Sequence, residues 1–220
     1  MDSSIQYSNI HTHNIPAPDE VAIYNVKNNV ITDKHYFVSL GLHPWYIDKT
    51  NVIDEINSIR KYASEKNILA IGECGLDKLI DTDLEVQEKI FKEQILIAET
   101  VRKPLIIHCV KAFDSLIRIK KEMKVSVPMI IHGYNNNEQI TQQLLNNNFY
   151  FSFGKALLKE DSNASKIISK IPLEQMFFET DDQDIPVKSI FERASYYLQT
   201  DLILLKEQIN NNFKRIFRYE

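Results

Sequence analysis

Eight short apolar, β-branched runs alternating with longer amphipathic stretches predict an α/β fold, a distorted TIM (β/α)8 barrel. Two further observations support that class. Five of the six histidines, with Glu73 and Asp181, stand where a strand-like run stops. One βα unit is too short to hold a helix, which makes the expected barrel irregular. The chain has 220 residues, enough for one domain, 1–220, with a full core.

The strands expected are Gln6–Ile10, Val21–Val26, Phe37–Leu42, Leu69–Gly72, Leu105–His108, Met129–His132, Tyr150–Phe153 and Phe177–Thr180. The helices expected are Val52–Glu65, Leu84–Val101, Ala112–Lys124, Asn137–Asn146, Ala164–Lys170, Val187–Leu198 and Asp201–Phe217. The second is the clearest: Ile90, Phe91, Gln94, Ile97, Ala98 and Val101 recur at helical spacing, with Glu88, Lys92 and Glu99 on the wet side. Asparagine clusters, including Asn28–Asn29, mark turns and caps. Asn136–Asn137 and Ser162 or Asn163 suit N-caps. Between strand 1 and Val21 lie only a few residues, with Pro16 and Pro18, so the helix after strand 1 is missing. That leaves the direction of strand 2 open, because a short link also suits an antiparallel partner.

Composition excludes several classes. Hydrophobic residues are 44% and charged residues 25%, with net charge −4, an ordinary globular mix without the basic face needed to coat duplex DNA. Two cysteines, Cys74 and Cys109, are too few for a disulfide scaffold and point to a reducing compartment. Strand alternation aims both at the helix layer, as structural thiols. No signal-peptide pattern or membrane-length apolar run occurs. The expectation is a cytoplasmic monomer.

In a parallel barrel the C-terminal strand ends converge on one mouth, where the chemistry sits. Imidazoles and two carboxylates gathered there form a ligand set for two divalent cations. His11 and His13 are two apart on a strand and share a face, with Asn9 one step deeper. Glu73 lies between Gly72 and Gly75, where the backbone can approach closely, and its two oxygens can bridge two ions. His108 and His132 end consecutive apolar strands, as ligands of the second ion. Asp181 can bind metal and take a proton from the attacking water, while Glu179 on the same face can orient a ligand histidine from behind. His43 is assigned to supporting a ligand or to substrate phosphate, and His35 to a loop. Lys111 and Lys155, just past strand ends, can hold a neighbouring phosphate. Trp45, Tyr46 and Tyr134 offer faces for stacking bases, although Trp45 equally suits core packing.

Several segments together resemble the TatD family of metal-dependent hydrolases, in the amidohydrolase-like superfamily. They are His11-Thr12-His13, Gly41-Leu42-His43-Pro44, Ile71-Gly72-Glu73-Cys74-Gly75-Leu76-Asp77, Ile106-Ile107-His108, Ile131-His132-Gly133, Phe151-Ser152-Phe153-Gly154 and Glu179-Thr180-Asp181. Gln87, Phe91, Gln94, Asn212 and Arg215-Ile216-Phe217 also match family positions. The resemblance implies metal ligands at His11, His13, Glu73, His108, His132 and Asp181. It also implies phosphodiester hydrolysis on DNA, often from a 3′ end, with two ions of Zn, Mg or Mn. DNA, at single-stranded ends, or a small phosphodiester is then the expected partner, with no membrane. Three positions depart from the family pattern. Asn9 replaces an Asp, Cys109-Val110 replaces Ser-Arg, and Asp182-Gln183 replaces Ser-Pro. These departures leave two other readings open: an esterase, lactonase or amidase of the same superfamily, and a metal-stabilised binding protein without catalysis.

Overall fold

The computed structural model describes residues 6–26, 36–48 and 50–219. His35 and the Asn28–Asn29 pair lie outside the described residues. Eight strands follow one another in chain order, β1 to β8, and helices alternate with them from the third strand onward. This is the (β/α)8 class expected, with no helix in the link after the first strand. The chain packs as two compact units, residues 1–24 with 132–220, and residues 25–131.

The first unit holds β1 (Tyr7–Thr12), nearly all of β2 (Glu20–Asn25), β7 (Tyr150–Phe153) and β8 (Met176–Phe178). β1 and β2 are parallel, with Asn9 opposite Ala22, which settles the direction left open by the short link. The reach of the chain explains it. Tyr7 pairs with Glu20, so residues 13–19 must return along β1, about 17 Å at ~3.3 Å per residue. Seven extended residues span about 23 Å, and Pro16 and Pro18 favour extension. β7 and β8 are parallel. β8 continues into residues that pair with β1 through a Thr12–Asp181 bridge.

The helices of this unit are α4 (Glu138–Leu145), α5 (Asn163–Ile167), α6 (Val187–Leu198) and α7 (Leu202–Phe217). Asn137, Ser162 and Asp201 cap α4, α5 and α7 by accepting backbone N–H groups, which relieves donors a helix start leaves unpaired. The expected helix over Ala164–Lys170 is α5 followed by a 3-10 turn, Ile168–Lys170. α7 buries Leu205, Ile209, Phe213 and Ile216, the i, i+4, i+8, i+11 stripe of a helix packed on a sheet. Its Asn212 donates to the carbonyls of Leu173 and Met176, which ties the helix to the start of β8.

The second unit holds β3 (Phe37–Leu40), α1 (Val52–Tyr62), β4 (Ile68–Asp77), α2 (Leu84–Val101), β5 (Leu105–Val110), α3 (Phe113–Met123) and β6 (Met129–Ile131). Its strands are parallel in the order β3-β4-β5-β6. β4 is longer than the apolar run predicts. Ile71 pairs with Leu105 but Cys74 with Ile107, so β4 carries one extra residue, a bulge. A Cβ on Gly72 would lie 2.5 Å from the Ile106 carbonyl oxygen, and one on Gly75 would strike the His108 oxygen. The two glycines let β4 stay against β5 past the bulge, so Glu73 sits within a strand and not after one. No helix among the described residues is long and apolar enough to cross a membrane.

Candidate metal centre

In the first unit, β1 delivers His11, the residue after it is His13, and the segment after β8 delivers Asp181. Two backbone bonds clamp Asp181: its N–H donates to the His11 carbonyl at 3.0 Å, and its own carbonyl accepts from His13 at 2.9 Å. That clamp brings Asp181 Oδ1 to 3.4 Å from His11 Nε2 and 3.6 Å from His13 Nε2. The His132 ring lies 4.5 Å from that of His11. Ligand atoms of His11, His132 and Asp181 lie within 4.8 Å of one another. Behind this group, buried Glu179 accepts from the Gly133 amide through Oε1, which is 3.3 Å from His132 Nδ1. Nε2 is thereby the nitrogen His132 presents for a ligand role.

In the second unit, His43, Glu73 and His108 form a similar triad, with ligand atoms within 4.8 Å of one another. His43 Nδ1 accepts the Trp45 backbone N–H at 3.1 Å. The ring proton therefore sits on Nε2, which faces Glu73 Oε1 at 3.1 Å. His108 Nδ1 lies 3.2 Å from the same oxygen. The Glu73 amide donates to Asn25 Oδ1, which also takes the Ser39 hydroxyl.

The donor sets fit divalent cations. Imidazoles and carboxylates suit Zn, and the carboxylates also suit Mg and Mn. With ligand bonds of about 2.1 Å, neighbouring ligands around a tetrahedral ion stand about 3.4 Å apart. The imidazole–carboxylate separations match that spacing.

Within the first unit His132 gathers with His11 and Asp181, and within the second His108 gathers with His43 and Glu73. Lys111 is exposed at the end of β5 with φ of 52°. Lys155 is exposed and pairs with Asp182 at 3.5 Å. Tyr134 is not a stacking surface: it is 1% exposed, packs on Phe151 and Phe153, and its hydroxyl lies 2.8 Å from that of Thr141. Its apolar neighbours on β7 draw the ring into the core. Trp45 and Tyr46 are 58% and 57% exposed, so core packing is not the role of Trp45. Burial pushes both thiols, Cys74 and Cys109, well above the ordinary range, so neither is a thiolate at neutral pH.

Two features escaped the sequence reading. Asp77 is buried and its Oδ2 meets both the Trp45 indole N–H and His108 Nε2. Burial raises its carboxyl, but bonds from Trp45, Leu79 and His108 outweigh this and hold it below the usual carboxylate range. Its place in the Gly-Glu-x-Gly-Leu-Asp string was the available signal. The second feature is what the α2 glutamines do. Gln94 brackets the peptide N–H and C=O of Leu42, next to His43, and Gln87 brackets those of Asp77.

A (β/α)8 fold with histidine–carboxylate clusters at its strand ends defines a metal-dependent hydrolase. The family model described as TatD related DNase matches residues 10–218, and the chain belongs to that family. An uncharacterized metal-dependent hydrolase of Buchnera aphidicola is 28% identical over 201 residues, 84% of this chain and 75% of its own length. Another, YabD of Bacillus subtilis, is 28% identical over 83% of this chain and 77% of its own. Among solved structures, the TatD homologue YjjV of Escherichia coli superposes with a TM-score of 0.84 at 18% identity, covering 98% of this chain and 99% of that one.

Proposed function

We propose that this protein is a phosphodiesterase acting on DNA ends, with two divalent ions of Zn, Mg or Mn held by the two clusters. The observation that carries the reading is the pair of imidazole–carboxylate sets, each with ligand atoms within 4.8 Å of one another. His11, His13, His132 and Asp181 would hold one ion, and His108 and Glu73 the other. When bound, the ions would polarise a water and neutralise charge gathering on the phosphoryl oxygens. Asp181, whose side chain is 30% exposed, is the group with access to accept the proton of the attacking water. His43 donates to Glu73 and holds its carboxylate in place. Exposed Trp45 and Tyr46 supply flat faces for terminal bases. The net charge of −4 favours gripping an end over coating a duplex.

The test is cleavage of single-stranded DNA labelled at either end, with each metal added to chelator-treated protein. Mononucleotides should leave from the 3′ end, and Asp181→Asn should slow release about 10²- to 10⁴-fold, the range for a lost general base. The altered residues Cys109-Val110 and Asp182-Gln183 favour a second reading, a hydrolase of small esters or lactones. Turnover of a lactone panel with intact DNA in every metal would replace the first reading with the second.

A further inference from the structure

Asp77 sits at an unusual junction. One carboxylate oxygen, Oδ2, receives the indole N–H of Trp45 at 2.8 Å and lies 3.2 Å from His108 Nε2. The other, Oδ1, accepts the Leu79 amide at 2.8 Å. The peptide is fixed as well, because Gln87 donates to the Asp77 carbonyl and accepts its N–H. The carboxylate is therefore held at both oxygens and on both sides of its backbone. An ionised carboxylate only accepts, so a bond to Nε2 requires the His108 ring proton on Nε2. Nδ1, 3.2 Å from Glu73 Oε1, then presents a lone pair. The Trp45 ring lies edge-on to both histidines, 5.0 Å from His43 and 5.7 Å from His108, although it is more than half exposed.

We propose that Asp77 is a positioning residue: it fixes the His108 proton on Nε2, so that Nδ1 is the metal donor, and through the same oxygen it ties the exposed Trp45 ring to the triad. The consequence is a coupling. A cation drawn to Nδ1 strengthens the Nε2–H bond to Asp77, and that same oxygen anchors the indole. Metal capture therefore alters the surroundings of an aromatic face at the protein surface. The inference rests on the reading that His108 and Glu73 hold a cation.

Trp45 is the only tryptophan in the sequence, so its emission reports this triad alone. Zn2+ added to chelator-treated protein should shift Trp45 emission saturably, and His108→Ala should abolish the shift. Asp77→Ala should weaken the fitted affinity about 10- to 100-fold, the usual effect of removing the partner behind a ligand histidine. Asp77→Asn, whose amide oxygen can take the same protons, should recover part of that loss. Nitrogen-15 spectra of the Zn-loaded wild type should show His108 protonated on Nε2 and metal-shifted at Nδ1. Two results overturn the proposal while leaving the metal reading intact: a His108 proton on Nδ1 with Zn bound, or an Asp77→Ala affinity within twofold of wild type. The wild-type spectrum decides the matter even if Asp77→Ala fails to fold. If wild type takes up no Zn2+ at all, by metal content and by emission, the metal reading itself fails and the proposal with it.

Discussion

Asn9 shows how one side chain can explain a departure from a family pattern. Its amide nitrogen donates to Glu20 Oε2 at 3.2 Å and Thr180 Oγ1 at 3.0 Å, and its carbonyl oxygen accepts the Thr180 amide. An Asp here would keep the acceptor, lose both donors and face a second carboxylate. Glu20 already has its carboxyl raised, by burial first, with the Asn9 bond opposing. Asn9→Asp should therefore destabilise the protein by about 1–3 kcal/mol at neutral pH, the scale of a buried group losing its partner. Glu20→Gln should restore most of it, because its amide can donate to the carboxylate that Asn9→Asp introduces. A double-mutant cycle by urea denaturation reads this directly, and additive effects would disprove the pairing. The sign of the pH dependence follows from Glu20. A carboxyl whose folded value is raised costs nothing while protonated in both states. Its cost grows as pH rises from the ordinary glutamate range through the raised folded value. The Asn9→Asp penalty should accordingly shrink in acid. None of this was legible in the sequence, where the replacement stood out but its partner eleven residues on did not.

At the scale of the element, α2 is the organising piece of the second unit. Its apolar stripe was legible because it follows helical spacing, and its bounds agree with those expected. Its buried glutamines matched family positions, but their task could be seen only once both strand ends were in place. Gln94→Leu would leave the Leu42 N–H and C=O buried without these partners. A loss of about 2–6 kcal/mol is expected, at about 1–3 kcal/mol for each group. A change in stability below about 0.5 kcal/mol, the size of a neutral surface substitution, would contradict the role. α1 gives a pH test. Lys103 Nζ donates to the carbonyls of Ala63 and Glu65 past its C-terminus, and burial lowers its value from 10.5 to about 8, with Glu65 opposing. Between those values the unfolded chain binds the extra proton, so stability should rise with pH from about 8 to 10.5. Lys103→Met should flatten that rise, and an unchanged slope would show that another group sets it. β4 was the element the sequence misjudged. Its apolar run stops at Gly72, and only the bulge and two glycines keep Glu73 to Asp77 in the sheet.

For the whole molecule, the fold class was legible because eight apolar runs and their histidines recur in step, a regularity that survives the loss of one helix. The grouping of ligands was less legible, since strand-end position says which residues can meet and not which ring faces which carboxylate. The two clusters make a prediction that separates them. A cation that binds only the folded chain stabilises it by about 2.7 kcal/mol at a hundredfold excess over Kd. Chelator treatment should therefore lower the melting temperature, and added Zn2+ should restore it. Metal content should be two equivalents in wild type and one in either His11→Ala or His108→Ala. His11→Ala removes a donor from the group containing His132 and Asp181, while His108→Ala breaks the Glu73 triad. The surviving equivalent should keep its own affinity in each variant if the clusters bind independently. Loss of both ions from either variant would show that the two clusters do not bind independently. One equivalent in the wild type would reduce the proposed centre to a single ion.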